Sequence, residues 1–138
     1  MTIALTPMLA SYTPRILVVD DLPDNTDLLQ ALLEPEGYEI ITAHSGTEAL
    51  AEIAQVSPDL ILLDVMMPDL DGLEVTHRLR QNPAYRSLPI LLVSAYDSID
   101  PHQSLQQGAN GFIRKPFDFV QLLDQVQSLL PACSQNCT

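Results

Sequence analysis

The sequence predicts an α/β fold in which helices cover both faces of an open, five-stranded parallel sheet, a three-layer sandwich. Three observations carry that prediction. First, short unbroken apolar runs recur five times: "ILVV" (16–19), "YEIITA" (38–43), "LILL" (60–63), "ILLVSA" (90–95) and a run within "NGFIRKPFD" (110–118). Strands buried on both faces read this way, whereas half-exposed strands alternate. Second, each run is followed by a segment with helical features, so strand and helix alternate throughout. Third, every crossover is long enough for a right-handed parallel connection.

The elements follow in order. Ile16 to Val19 is rich in β-branched residues and ends on Asp20 and Asp21. "NTDLLQALLEPEGY" then places Leu28, Leu29, Leu32 and Leu33 at helical spacing, and Pro35 and Gly37 end that helix. In "SGTEALAEIAQ" (45–55), Ser45 and Glu48 form a capping box, and Ala49, Leu50, Ile53 and Ala54 supply an apolar face. Ser57 and Pro58 stop it. After "LILL" an acidic loop leads to "GLEVTHRLRQ" (72–81), a helix with Leu73, Val75, Thr76 and Leu79. "DPHQSLQQGA" (100–109) is a polar, marginal helix. "FVQLLDQVQSLL" (119–130) is amphipathic, with Val120, Leu123, Val126, Gln127 and Leu130 near one stripe.

A length of 138 residues suits one domain with one core. We expect a flexible leader over 1–14, the domain over 15–130 and a flexible tail over 131–138. The net charge of -12 argues against direct contact with nucleic acid, which needs a basic patch. It argues equally against an anionic membrane surface, and favours a bound cation. No apolar run approaches the length of a membrane span, and the amino terminus lacks the features of a signal peptide, so a cytoplasmic location is expected. Cys133 and Cys137 lie together in the polar tail and staple no core.

In open parallel sheets a site forms beyond the carboxyl ends of the strands. There the sequence places Asp20 and Asp21, then Asp64, then Ser94, then Lys115 followed by Pro116. Each residue alone has a bland reading as a cap or a surface group. Together, three carboxylates would repel one another unless positive charge lies among them. Lys115 supplies one charge and a divalent cation the rest. The available ligands are oxygens, so Mg²⁺ is expected, with Mn²⁺ as the alternative. His44, His77 and His102 match no zinc spacing. A carboxylate can be a nucleophile toward phosphorus, with a metal and a lysine neutralising the transferring oxygens. Asp64, at the end of the most central run, is the best nucleophile candidate. Asp20 and Asp21 are the metal holders. Asp69 and Asp71 read as loop and helix-start residues.

The segments "ILVVDDLPDN", "DLILLDVMMPDLDGLEV", "PILLVSA" and "GANGFIRKPF" resemble the receiver domain of two-component response regulators, over roughly residues 14–130. The resemblance implies a flavodoxin-like strand order 2-1-3-4-5 with five helices. It implies Asp64 as phosphoacceptor, Asp21 as direct Mg²⁺ ligand and Asp20 acting through water. Asp64 itself and the backbone carbonyl of Met66 complete the implied ligand set. Ser94 would bond the phosphoryl group, and Lys115 would hold Asp64 and then pair with a phosphoryl oxygen. The Lys115–Pro116 peptide would be cis, and Phe112 would be the switch aromatic. The implied donor is a phosphohistidine on a sensor histidine kinase or a histidine phosphotransfer protein. Hydrolysis of the acyl phosphate resets the domain, at a rate set by side chains such as Met66, Ala95 and Tyr96. The implied output is a changed surface on the fourth helix, fifth strand and fifth helix, which docks a protein target or a second receiver. No output domain is read after residue 130, so either a stand-alone receiver, the single-domain type, or one excised from a larger protein is expected, a regulatory protein and not an enzyme acting on other substrates.

Two other readings stand beside this one. A haloacid-dehalogenase-like phosphatase also uses an aspartate nucleophile, Mg²⁺ and a lysine, but needs an acid two residues on, where this chain has Met66. A phosphorylation-independent binding module on the same scaffold would usually have lost one of the acids or the lysine, and this chain keeps them. A nucleotide-binding sheet is disfavoured because "DDLPDN" offers no glycine-rich turn.

Overall fold

The computed structural model describes residues 13–95 and 101–130. The tail with Cys133 and Cys137, all but the last two leader residues, and Tyr96 lie outside the described residues. The strands are β1 (Arg15–Val19), β2 (Glu39–Ala43), β3 (Leu60–Asp64), β4 (Ile90–Ser94) and β5 (Gly111–Arg114). The helices are α1 (Pro23–Leu33), α2 (Gly46–Val56), α3 (Gly72–Gln81), α4 (Pro101–Gln106) and α5 (Phe119–Leu129). All neighbouring strands pair in parallel, in the order β2-β1-β3-β4-β5. This is the expected flavodoxin-like order. Among the described residues no helix is long and apolar enough to cross a membrane.

The two-residue period of a strand divides one apolar run between two cores. Leu17, Val19, Ile61, Leu63, Ile90 and Leu92 pack with Ala49 and Ile53 of α2 and Val75 and Leu79 of α3. Ile16, Val18, Leu60, Leu62, Leu91 and Val93 pack with Leu33 of α1 and with Leu122 and Val126 of α5. Each fully buried leucine or isoleucine contributes roughly 1.5–3 kcal/mol, so the central strands are the most firmly held backbone in the molecule.

Side-chain caps fix where the helices begin. Ser45 Oγ accepts from Glu48 N–H at 3.0 Å, while the Glu48 carboxylate accepts from His44 N–H at 2.8 Å. Asp71 caps α3 through Glu74 N–H, and Asp118 caps α5 through Gln121 N–H. A single 3₁₀ turn, Glu34–Glu36, extends α1, and Gly37 closes it at φ 99°, a conformation natural only to glycine. At the other end of the sheet the Arg80 guanidinium donates to Gly108 O, Tyr85 O and Asn110 Oδ1, which fastens α3 to the connection after α4.

Two sequence expectations about faces need correction. Val120 was placed on the apolar stripe of α5, yet it is 76% exposed, while Leu122 is fully buried. Gln127 is exposed as well. Leu122 and Val126, one turn apart, pack against the core beside Leu33, and that rotation carries Val120 outward. In α1, Leu28 is exposed and Thr26 is buried in its place, its hydroxyl donating to Pro23 O. The marginal helix at 100–109 is observed as the six residues of α4.

The corrected phase of α5 is testable by urea unfolding. Leu122→Ala is expected to destabilise the domain by about 2–5 kcal/mol, whereas Val120→Ala should stay within about 0.5 kcal/mol of wild type.

Candidate functional site

Strand register brings distant residues to one edge. Val19 lies opposite Ala43 and Leu63, Asp64 opposite Val93, and Ser94 opposite Arg114. The ladder continues a step beyond the strands: Asp20 N–H donates to Ala43 O, Val65 N–H to Val93 O and Lys115 N–H to Ser94 O. The backbones that carry Asp20, Asp64, Ser94 and Lys115 are therefore all held by sheet hydrogen bonds.

One oxygen from each of Asp20, Asp21 and Asp64 lies within 4.8 Å of the others. Asp20 and Asp64 are buried and Asp21 is half-buried. Asp20 is well supplied with donors. Its Oδ1 accepts from Leu22 N–H at 3.0 Å, and its Oδ2 accepts from Asn25 Nδ2 at 3.1 Å and from Lys115 Nζ at 3.3 Å. Lys115 was expected to hold Asp64. Its ammonium instead forms its ion pair with Asp20, and acts on Asp64 through its field.

Burial pushes the Asp64 carboxyl up to about 6. The positive field of Lys115 opposes that rise, the negative charge of Asp20 adds to it, the hydrogen bond from Met66 N–H opposes it, and Asp21 adds the smallest push. The cluster is thus short of positive charge even with Lys115 in place. Three hard oxygen donors around such a deficit fit a divalent cation of the Mg²⁺ type better than one preferring nitrogen or sulfur.

The remaining predicted residues fall as follows. Ser94 is fully buried at the end of β4. Phe112, on β5, is half-buried against the core shared with α2 and α3, and the Arg114 guanidinium lies 5.5 Å from its ring centroid. The Lys115–Pro116 peptide is cis. Met66 is exposed, between buried Val65 and Met67. Ala95 lines an apolar cavity of about 590 Å³ that opens beside Asp20 and Asp64, between α1 and the β5–α5 connection. Leu28, Leu32, Phe117 and Phe119 line its far wall.

Sequence reasoning missed three contacts. Asn25 supports Asp20, and its place five residues on, in the first turn of the helix, was a usable signal. Thr26 meets His44 Nε2 at 3.1 Å, which joins α1 to the start of α2. Asp71 is the helix start that was expected, but Asp69 is more than a loop residue: its carboxylate spans to Gly46 and Thr47. No local pattern announces that contact.

The raised Asp64 carboxyl sets a sign for pH dependence. The folded state holds this proton up to about pH 6, while the unfolded chain releases it near the ordinary carboxylate value. The resulting stabilisation is complete below about pH 4 and lost as pH rises through about 6. In chelator at pH 7, Asp64→Asn should therefore be more stable than wild type by about 1–2 kcal/mol. Denaturant titrations from about pH 4 to 7 should show a decline in wild type that the variant lacks. Equal pH profiles would contradict this electrostatic account.

Comparison with known proteins agrees with this geometry. Residues 16–127 match the family model described as the response regulator receiver domain. Response regulator PleD of Caulobacter vibrioides is 48% identical over 116 residues, which is 83% of this chain and 26% of that protein. The DNA-binding dual master transcriptional regulator RpaA of Synechocystis is 40% identical over 118 residues, 85% of this chain and 49% of that protein. The chain thus spans half or less of these relatives' length. Among solved structures, the response regulator TrrA of Thermotoga maritima, in complex with Mg²⁺ and BeF, superimposes with a TM-score of 0.78 at 39% identity. That match covers 86% of this chain and 100% of that one. The chemotaxis protein CheY4 of Vibrio cholerae gives 0.80 at 33% identity, with the same coverage. A strand order, an acid-lined sheet edge and a family match over most of the length agree: this chain belongs to the response regulator receiver domain family.

Proposed function

We propose that residues 15–130 form a receiver that takes a phosphoryl group from a phosphohistidine donor onto Asp64, changes its surface, and is reset by hydrolysis. The observation that carries this reading is the meeting of Asp20, Asp21 and Asp64 with Lys115 at the carboxyl edge of the sheet. An Asp64 oxygen attacks phosphorus as the phosphorus–nitrogen bond to the donor imidazole breaks, and the imidazole keeps the electron pair. Asp21, Asp64 and the Met66 carbonyl would hold Mg²⁺ or Mn²⁺ directly, with Asp20 acting through water. When bound, that cation supplies charge neutralisation for the carboxylates and the phosphoryl oxygens. Asp20 suits an outer role, since its oxygens already accept three protein donors.

Lys115 moves its charge from Asp20 to a phosphoryl oxygen. The fixed backbone at Ser94 O, to which Lys115 N–H donates, limits where that side chain reaches. The Ser94 hydroxyl bonds a second phosphoryl oxygen, and Phe112 repacks in response, which changes the α4–β5–α5 surface. A downstream protein or a second receiver reads that surface. Resetting is attack of water on phosphorus, which breaks its bond to Asp64 and returns inorganic phosphate. The domain is a regulatory protein that assists its own phosphorylation and dephosphorylation.

The donor is a sensor histidine kinase or a histidine phosphotransfer protein. The apolar cavity beside Asp64, with exposed Leu28 on its wall, supports docking of such a protein there. We infer no direct nucleic-acid or membrane contact for this chain and a cytoplasmic location, on its charge of -12 and its expected kinase donor. DNA binding belongs to relatives such as RpaA, of which the chain covers about half.

Intact-mass analysis tests this reading. With Mg²⁺ and acetyl phosphate, wild type should gain a single phosphate, and Asp64→Ala or chelator should abolish the gain. Lys115→Ala should slow labelling by about 10²–10³-fold, the usual cost of losing a charge-stabilising donor. An unlabelled wild type would overturn the proposal.

A further inference from the structure

We propose that Asp69 is a positioning residue for the chemistry at Asp64: it clamps the β3–α3 loop onto the amino end of α2. The inference rests on the phosphoryl-acceptor reading and adds a part to it.

The loop runs from Val65 to Asp71, and its first residues touch the site. Met66 N–H bonds the Asp64 carboxylate, and the Met66 carbonyl is an expected cation ligand. The two ends of the loop are fixed by backbone. Val65 N–H donates to Val93 O at 2.9 Å, and Gly72 N–H returns to Val65 O at 2.8 Å. At Gly72 a Cβ would lie 2.6 Å from Asp64 O, so α3 starts hard against the end of β3. Met67 is buried in the core. Leu70 also packs against that core, so the exposed stretch these contacts do not hold is Pro68 and Asp69.

Asp69 provides that hold with both carboxylate oxygens. Oδ1 accepts from Gly46 N–H at 3.0 Å, and Oδ2 accepts from Thr47 N–H at 3.0 Å and from Thr47 Oγ1 at 2.8 Å. Leu70 N–H adds a further bond. The acceptors meet the free amides at the start of an 11-residue helix, where partial positive charge also favours an anion. These donors hold the carboxyl well below the ordinary carboxylate range. Packing sets the approach: a Cβ at Gly46 would lie 2.6 Å from Leu70 Cβ and 2.8 Å from Leu70 O. Only a residue without a side chain lets the loop come this close.

Asp69 touches no reacting atom, so its role is placement. It is exposed, and exposed ionic contacts add little to global stability. What it fixes is the path of a loop that must stay beside three mutually repelling carboxylates. Released at Asp69, the loop would keep its ends and lose the tether that limits Met66.

Three variants separate placement from simple stability. Asp69→Asn keeps the shape but turns an amide toward donors. Ser45→Ala weakens the same end of α2 by removing its cap, without touching the loop. Thr47→Val removes a single donor and leaves Asp69 in place. Mg²⁺ affinity by calorimetry and labelling rate at saturating Mg²⁺ are measured well below each variant's melting temperature. Asp69→Asn is expected to weaken Mg²⁺ at least fivefold, Thr47→Val at least twofold, and Ser45→Ala less than twofold, with matching order in labelling rate. Should Asp69→Asn fail to fold, Thr47→Val against Ser45→Ala decides alone. Unchanged affinity and rate in the clamp variants, or equal losses in Ser45→Ala, overturn the clamp while the acceptor reading stands. A wild type that binds no Mg²⁺ and takes no phosphate removes the acceptor reading, and the clamp with it.

Discussion

Three carboxylates are forced together at the carboxyl edge of the sheet, and the rest of the structure is arranged around that repulsion. Asp20, Asp21 and Asp64 bring oxygens within 4.8 Å of one another, two of them from buried positions. Like charges so placed disfavour one another's ionisation. The chain tolerates them because the strands that carry them are immobilised by unbroken apolar packing on both faces. It also supplies Asp20 with a backbone amide, an asparagine and an ammonium. Asp64 receives less, and its raised carboxyl records the difference. A carboxylate so placed responds to added positive charge, which fits a divalent cation of the Mg²⁺ type.

The same edge has a different neighbour on each side of the sheet. Toward α1 and α5 lies the apolar cavity, with Leu28 exposed on its wall and Lys115 and Pro116 at its rim. Toward α2 and α3 lie the β3–α3 loop and Phe112, packed on the other core. Asp64 thus stands between an open apolar cavity on one face and packed core on the other. Arg80 bears on the second face. Its three bonds to carbonyl and amide oxygens pin the connection between α4 and β5.

Much of this was legible in the sequence, because burial on both faces leaves a signature that single residues cannot blur. "LILL" became β3 with every residue buried, and the acids after the first and third apolar runs fell where parallel strands end. What could not be read was rotation and partner choice. Val120 and Leu122 are both apolar and two residues apart, and packing against the core beside Leu33 and Val93 decides which faces inward. The pairing of Lys115 with Asp20, 95 residues away, depends on side-chain reach at a shared edge. Asp69 and Gly46 are 23 residues apart in different connections, and neither looks unusual alone. Net charge speaks only for this chain, which covers 49% of a longer relative that is a DNA-binding regulator.

Asp64 and Asp69 show how far environment separates two identical side chains in one short stretch. Asp64 is buried, faces two other acids and is pushed up to about 6. Asp69 is exposed, receives backbone amides from Gly46, Thr47 and Leu70, and is held far below the usual range. One is an anion the fold barely supports, and so it responds to whatever positive charge arrives. The other is an anion at any ordinary pH, and so it can serve as a fixed post. A loop that must present a responsive carboxylate at one end gains from an unresponsive one at the other. The division of labour follows from where the amide donors are: Asp64 has one from Met66, and Asp69 has the open end of a helix.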